Sequence, residues 1–117
     1  MHVRSRTRFQ LAQLGFTWDE AKCRANERKH GVSFEEAATT WVDPRAIELF
    51  DEEHSGSEHR WFRIGTSLNG RILVVGYAGE GVEASTASPG CEADLLRIFG
   101  ARRANGRERR LHEGTDR

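Results

Sequence analysis

The chain has 117 residues, with 18 basic against 18 acidic side chains and a hydrophobic fraction of 37%, enough for one core and one domain. No apolar run approaches the roughly 18 residues of a membrane helix, and two cysteines without a CxxC pair do not make a secreted disulfide scaffold; the expectation is a cytoplasmic protein with Cys23 and Cys91 as free thiols. The zero net charge hides an uneven distribution, because Asp51 to Glu58 carries four acids and no Lys or Arg, whereas Arg97 to Arg110 carries six arginines and one acid. A local basic stripe of this kind serves either as a polyanion surface or as a solvated helix face.

Residues 1–15 show no clear period. Arg4, Arg6 and Arg8 precede no apolar stretch, so the segment does not read as a signal peptide. It reads as a loose extension, or as a short helix at Phe9 to Leu14. The domain is expected over residues 16–114, with 115–117 as a tail. Phe16 to Trp18 suggests a short first strand. Thr17 and Glu20 fit a capping box, with Asp19 as a competing N-cap, for a helix from Glu20 to His30 stopped by Gly31. Ser33 and Glu36 open a second helix, whose Phe34, Ala37, Ala38 and Trp41 form one apolar stripe. Asp43-Pro44 ends it.

Ile47 to Phe50 reads as a strand, followed by the acidic loop. Trp61 to Leu68 and Arg71 to Tyr77 flank Asn69-Gly70, the signature of a two-residue type I′ hairpin. That turn would place Phe62, Ile64, Thr66 and Leu68 on one face with Leu73, Val75 and Tyr77, and would turn Ile72 and Val74 the other way. A strand apolar on both faces belongs in the middle of its sheet. Gly79 to Asp94, rich in Gly, Ser, Glu and Ala, reads as a long flexible loop. Leu95 to Ala101 returns to strand. Asn105 and Glu108 then cap a last helix, Gly106 to Glu113, ended by Gly114. The expected class is α+β: a small antiparallel-rich sheet with helices packed on it, in the order β-α-α-β-β-β-β-α.

Phe16-Thr17-Trp18-Asp19-Glu20-Ala21-Lys22 is followed by Asn26 and by Arg28-Lys29-His30-Gly31-Val32-Ser33-Phe34-Glu35-Glu36-Ala37, then by Asp43-Pro44. His54, Glu58, Arg60 and Ile64-Gly65 come next, with Leu73-Val74-Val75 and Tyr77. Arg97 to Ala104 and Glu108-Arg109-Arg110 close the pattern. Taken together, about Phe16 to Glu113 resembles the BrnT toxin family, the toxin half of type II toxin–antitoxin pairs. Three features depart from the family pattern. Phe99-Gly100 replaces Ile-Ser, His112 stands where many members carry Tyr, and the Gly79 to Asp94 loop is longer than usual. The residues before Phe16 are an extension or reflect a misplaced start codon.

The resemblance implies a RelE-like fold and metal-independent RNA cleavage, with the ribose 2′-OH attacking the adjacent phosphate. Such a reaction needs a proton acceptor for the 2′-OH, positive charge on the phosphate oxygens and a proton for the leaving 5′ oxygen. Arg60 and Arg97 are the candidate phosphate contacts. The competing role of Arg60 is an ion pair with Glu58. That of Arg97, which alternates with Leu96 and Ile98, is an exposed arginine on an edge strand. His54 and Glu58 are the candidate acid–base groups, and Glu58 alternatively orients Arg60. Arg102, Arg103, Lys29 and Tyr77 are candidate RNA contacts. Arg102 and Arg103 serve equally to bind an acidic partner, Lys29 to complement a helix dipole, and Tyr77 to pack in the core with its hydroxyl at the rim.

No metal-ligand or cofactor motif is present; the five histidines show no HExxH or H-x3-H spacing. Implied partners are an RNA substrate and a ribbon-helix-helix antitoxin of the BrnA kind, with operator DNA bound only through the antitoxin and no membrane. The alternative from a different class is a catalytically inactive relative that acts as an antitoxin-binding corepressor. A simple RNA-binding domain fits less well, since the sheet lacks the exposed aromatic pairs such domains use.

Overall fold

A computed structural model describes residues 6–11, 14–53, 58–79 and 95–114. The elements run β1 (Arg6–Leu11), β2 (Leu14–Asp19), α1 (Glu20–His30), α2 (Phe34–Ala38), a 3-10 turn (Thr39–Val42), β3 (Ile47–Phe50), β4 (Arg60–Thr66), β5 (Ile72–Gly79), β6 (Leu95–Arg103) and α3 (Gly106–Glu113). The class is α+β. The six strands form one mixed sheet in the order β1-β2-β6-β5-β4-β3. The β2–β6 pair is parallel and the other neighbours are antiparallel. No helix among the described residues is long and apolar enough to cross a membrane.

Two strands, not one, precede α1, so the expected element order is corrected at its start. Phe9 to Leu14 is not a helix: Arg6–Leu11 pairs with Leu14–Asp19 as a hairpin. Phe9 and Leu11 pack on the core, whereas Arg8 and Gln10 are exposed. This is the two-residue alternation of a half-buried strand. At the start of α1, Asp19 is the N-cap and accepts from the Ala21 amide at 2.9 Å. Thr17 is already committed to β2, and the Glu20 carboxylate accepts a hydrogen bond from Thr7. Gly31 closes the helix at φ 72°, where only glycine is unstrained. Ser33 caps α2 by accepting from the Glu36 amide at 3.0 Å. The last helix has the full Asn105–Glu108 capping box.

The β4–β5 turn departs from the expected one by a single residue. The Ser67 carbonyl accepts from the Gly70 amide at 2.9 Å, and the Ser67 amide donates to the Arg71 carbonyl at 2.8 Å. Gly70 carries a left-handed φ of 83°. This is a three-residue loop built on a turn and a glycine bulge. Ile64 therefore faces Val74 and Phe62 faces Gly76. One residue of slip exchanges the two faces of a strand. Leu73, Val75 and Tyr77 join Phe16, Trp18, Phe34 and Ile98 in the main core beneath α1 and α2. Phe62 and Ile64 lie on the opposite face with Ile72, Val74 and Ala104. As expected from its doubly apolar pattern, β5 is interior.

Candidate active site

The second sheet face carries the candidate chemistry. Arg97 pairs in register with Ala78, and Ala78 with Arg60, so both arginines rise from one row. β6 lies between β2 and β5, which corrects the edge-strand role considered for Arg97. Just before β4, Glu58 bridges the two. Its Oε1 accepts from Arg60 Nε at 3.1 Å and from Arg97 Nη2 at 2.6 Å, and its Oε2 accepts from Arg97 Nη1 at 3.2 Å. The side chains remain 36%, 23% and 34% exposed for Arg60, Arg97 and Glu58, so solvent, and hence a ligand, reaches all three.

The Arg97 guanidinium, opposed by partial burial and helped by Arg60, holds the Glu58 carboxyl below its usual range. A carboxylate so held is a firm anion and a weak proton acceptor near neutral pH.

Phe99 completes the arrangement. It is the residue left over at the irregularity in β5–β6 pairing, between the Gly76–Gly100 and Tyr77–Ile98 pairs. Its ring lies 4.8 Å from the Arg60 guanidinium carbon, a cation–π contact. The ring fits because position 76 is glycine: a Cβ there would stand 2.7 Å from Phe99 Cε1. Phe99 was visible in the sequence only as a departure from the family pattern.

The remaining candidates are scattered. Arg102 is committed to Glu108 through two bonds of 2.8 and 2.7 Å, which tie β6 to α3. Arg103 is exposed at the end of β6 and Lys29 at the end of α1. Lys29 is not with the arginine cluster, because α1 covers the other sheet face through Cys23 and the Asn26–Ala101 bonds. Tyr77 packs edge-on against Trp41 in the core, and its hydroxyl donates to Glu48. His54 and the segment 80–94, Cys91 included, lie outside the described residues. Cys23 is a free, buried cysteine whose thiol burial pushes up, unsuited to nucleophilic work.

Several strong polar links went unread in the sequence. Arg71 forks onto Glu36, which also accepts from Ser67 at 2.7 Å, and so pins the β4–β5 turn to α2. Arg63 stacks on Trp41 at 4.7 Å, donates to the Thr40 and Asp43 carbonyls and pairs with Glu48. The Asp43 carboxylate meets His112 Nε2 at 2.7 Å and accepts from the Thr66 and Arg45 amides. Burial raises its carboxyl pKa, but those hydrogen bonds outweigh burial and hold it below the ordinary value. These partners are distant in sequence, and no local pattern announces them. Among the described residues, no three His, Cys, Asp or Glu side chains come together as a metal site.

A family model described as "Ribonuclease toxin, BrnT, of type II toxin-antitoxin system" matches residues 18–108, well over half of the chain. Among curated proteins none matches.

Proposed function

We propose, from the premise that the chain belongs to the BrnT family of type II ribonuclease toxins, that it cuts RNA internally without a metal and so inhibits translation in the cytoplasm. The observation that carries this reading is the Glu58 bridge between Arg60 and Arg97 on an accessible sheet face. Arginine forks fit the non-bridging oxygens of a phosphodiester, and two of them offset the charge that builds up as the 2′-oxygen attacks. In the free protein Glu58 holds both forks in place, so they need little reorganisation when a phosphate takes over. Phe99 fixes the plane of Arg60 from below. With Glu58 a weak base, proton transfer falls to His54 in the preceding acidic stretch, histidine being the residue type suited to acid–base work near neutral pH. Arg103 is a peripheral RNA contact. The mixed sheet with helices on it accords with the RelE-like fold that the family implies. The inhibitor is a ribbon-helix-helix antitoxin of the BrnA kind, through which the pair binds operator DNA.

The test is cleavage of a defined RNA by the purified chain in excess chelator. The expected products end in a 2′,3′-cyclic phosphate or a 3′-phosphate. Activity that disappears with chelator and returns with magnesium would refute the metal-free reading.

A further inference from the structure

The row that holds Arg60 and Arg97 does not stop at β6. Thr17 pairs in register with Arg97 across the parallel β2–β6 junction, and Arg8 pairs with Thr17 across the N-terminal hairpin. Side chains in register across neighbouring strands share a sheet face. Arg8, Thr17, Arg97, Ala78 and Arg60 thus form one line across five strands, about 19 Å long at the usual strand spacing. Phe9, Phe16 and Leu96 turn to the opposite face, into the main core.

Arg8 differs from the other two arginines of the line. It is exposed, and it makes no ion pair or side-chain hydrogen bond among the described residues. Between Arg8 and Arg97, the Thr17 hydroxyl is buried without a hydrogen-bond partner. The spacing is two strands from Arg60 to Arg97 and two again from Arg97 to Arg8. One phosphate seated at the Glu58 cluster leaves Arg8 to meet a later phosphate of the same strand. β1 also lies outside the residues that match the family, so this contact belongs to the N-terminal hairpin.

We propose that Arg8 is an RNA-binding residue, and that single-stranded RNA runs across the strands along the line from Arg60 through Arg97 to Arg8. The inference rests on the RNA-cleaving reading above and adds to it a direction and a second phosphate subsite. An acidic protein surface is the competing occupant of Arg8.

The experiment measures binding of a fluorescent 2′-O-methyl oligoribonucleotide of about 12 nucleotides, long enough to cover the row and resistant to 2′-OH attack. The full chain is compared with Arg8→Ala, Arg8→Lys and Arg8→Glu, each checked by circular dichroism. Arg8→Ala is expected to raise Kd about two- to five-fold, the scale of one exposed ionic contact, and to lower the salt slope of binding by about 1. Arg8→Glu should raise Kd further, Arg8→Lys should recover much of the loss, and the penalty should shrink on a dinucleotide. Unchanged Kd in Arg8→Glu, or no binding by the parent chain, overturns the inference. So does an Arg8 effect seen only on capture of a protein partner. Cleavage of unmodified RNA is scored separately. An active parent with Arg8→Glu binding like wild type sinks only the extended row. An inactive parent with weakened Arg8→Glu binding sinks only the cleavage reading.

Discussion

Two arginine–glutamate clusters on this sheet are built from the same chemistry and sit in different surroundings. At the β4–β5 turn, one arginine, Arg71, meets one carboxylate, Glu36, whose side chain is only 8% exposed, and Ser67 takes up further hydrogen-bonding capacity. Charge is balanced there and the acid is out of solvent, so the cluster fastens α2 to the hairpin. At the start of β4, Glu58 bonds to both Arg60 and Arg97, and all three side chains remain open to solvent. What separates the fastening from the proposed site is the exposure of the acid, 8% for Glu36 against 34% for Glu58, rather than the residue types.

The sharpest way to break the comparison is to remove one arginine from each. Arg60→Ala and Arg97→Ala should each slow RNA cleavage by about a hundred- to a thousand-fold, or about 3–4 kcal/mol of transition-state stabilisation, while unfolding free energy moves by less than about 1 kcal/mol. Lysine at either position should restore only part of the rate, since the ammonium lacks the fork. Wild-type cleavage by both alanine variants would show that the open cluster is only another fastening. Arg71→Ala should do the reverse. It strands Glu36 in a poorly solvated place and should cost about 2 kcal/mol in urea unfolding, less than for a fully buried pair because Arg71 is itself 30% exposed. If its stability were unchanged, the contrast would lose its structural half.

A smaller effect is expected in acid. The Arg71 hydrogen bond, against partial burial, holds the Glu36 carboxyl below its ordinary value of 4.5. A carboxylate with a lowered folded pKa contributes stability that is present above its unfolded pKa and lost as pH falls through the folded one. The melting temperature should therefore decline from about pH 4.5 downward, and Glu36→Gln, less stable at pH 7, should decline less steeply. Parallel curves for the two proteins would remove Glu36 from the account.

Where the chain signals locally, the sequence predicted the structure. The bounds of α1, β3 and α3 followed from the Glu20 start, Gly31, the Ile47 to Phe50 segment and the Asn105–Glu108 box, although the N-cap of α1 is Asp19, the competing candidate, and not Thr17. The Glu58–Arg60 contact was equally readable, being two residues long. The hairpin register was not. Asn69-Gly70 is compatible with both a two-residue and a three-residue loop, and the choice reverses which residues of β4 face the core with Tyr77. The N-terminal strand was missed because its alternation is short and its arginines suggest a solvated tail. Arg97 could be nominated as a phosphate ligand, but its bond to a carboxylate 39 positions away and the seat of Phe99 over Gly76 depend on strand pairings that no window of sequence contains.

The strand order has a consequence in time. β1 and β2 form one hairpin and β3, β4 and β5 form a meander, and only β6 joins them. Because β6 follows the other strands in the chain, both groups of strands leave the ribosome before the strand that pairs with each of them. Arg60 then stands without Arg97, and Arg8 lies on a ribbon not yet fixed in place. Pairing of β2 with β6 must also close a long loop, which slows the event relative to local hairpins. The row of arginines is complete only once β6 has paired, and on the site proposed above a chain truncated before β6 is expected to be inactive.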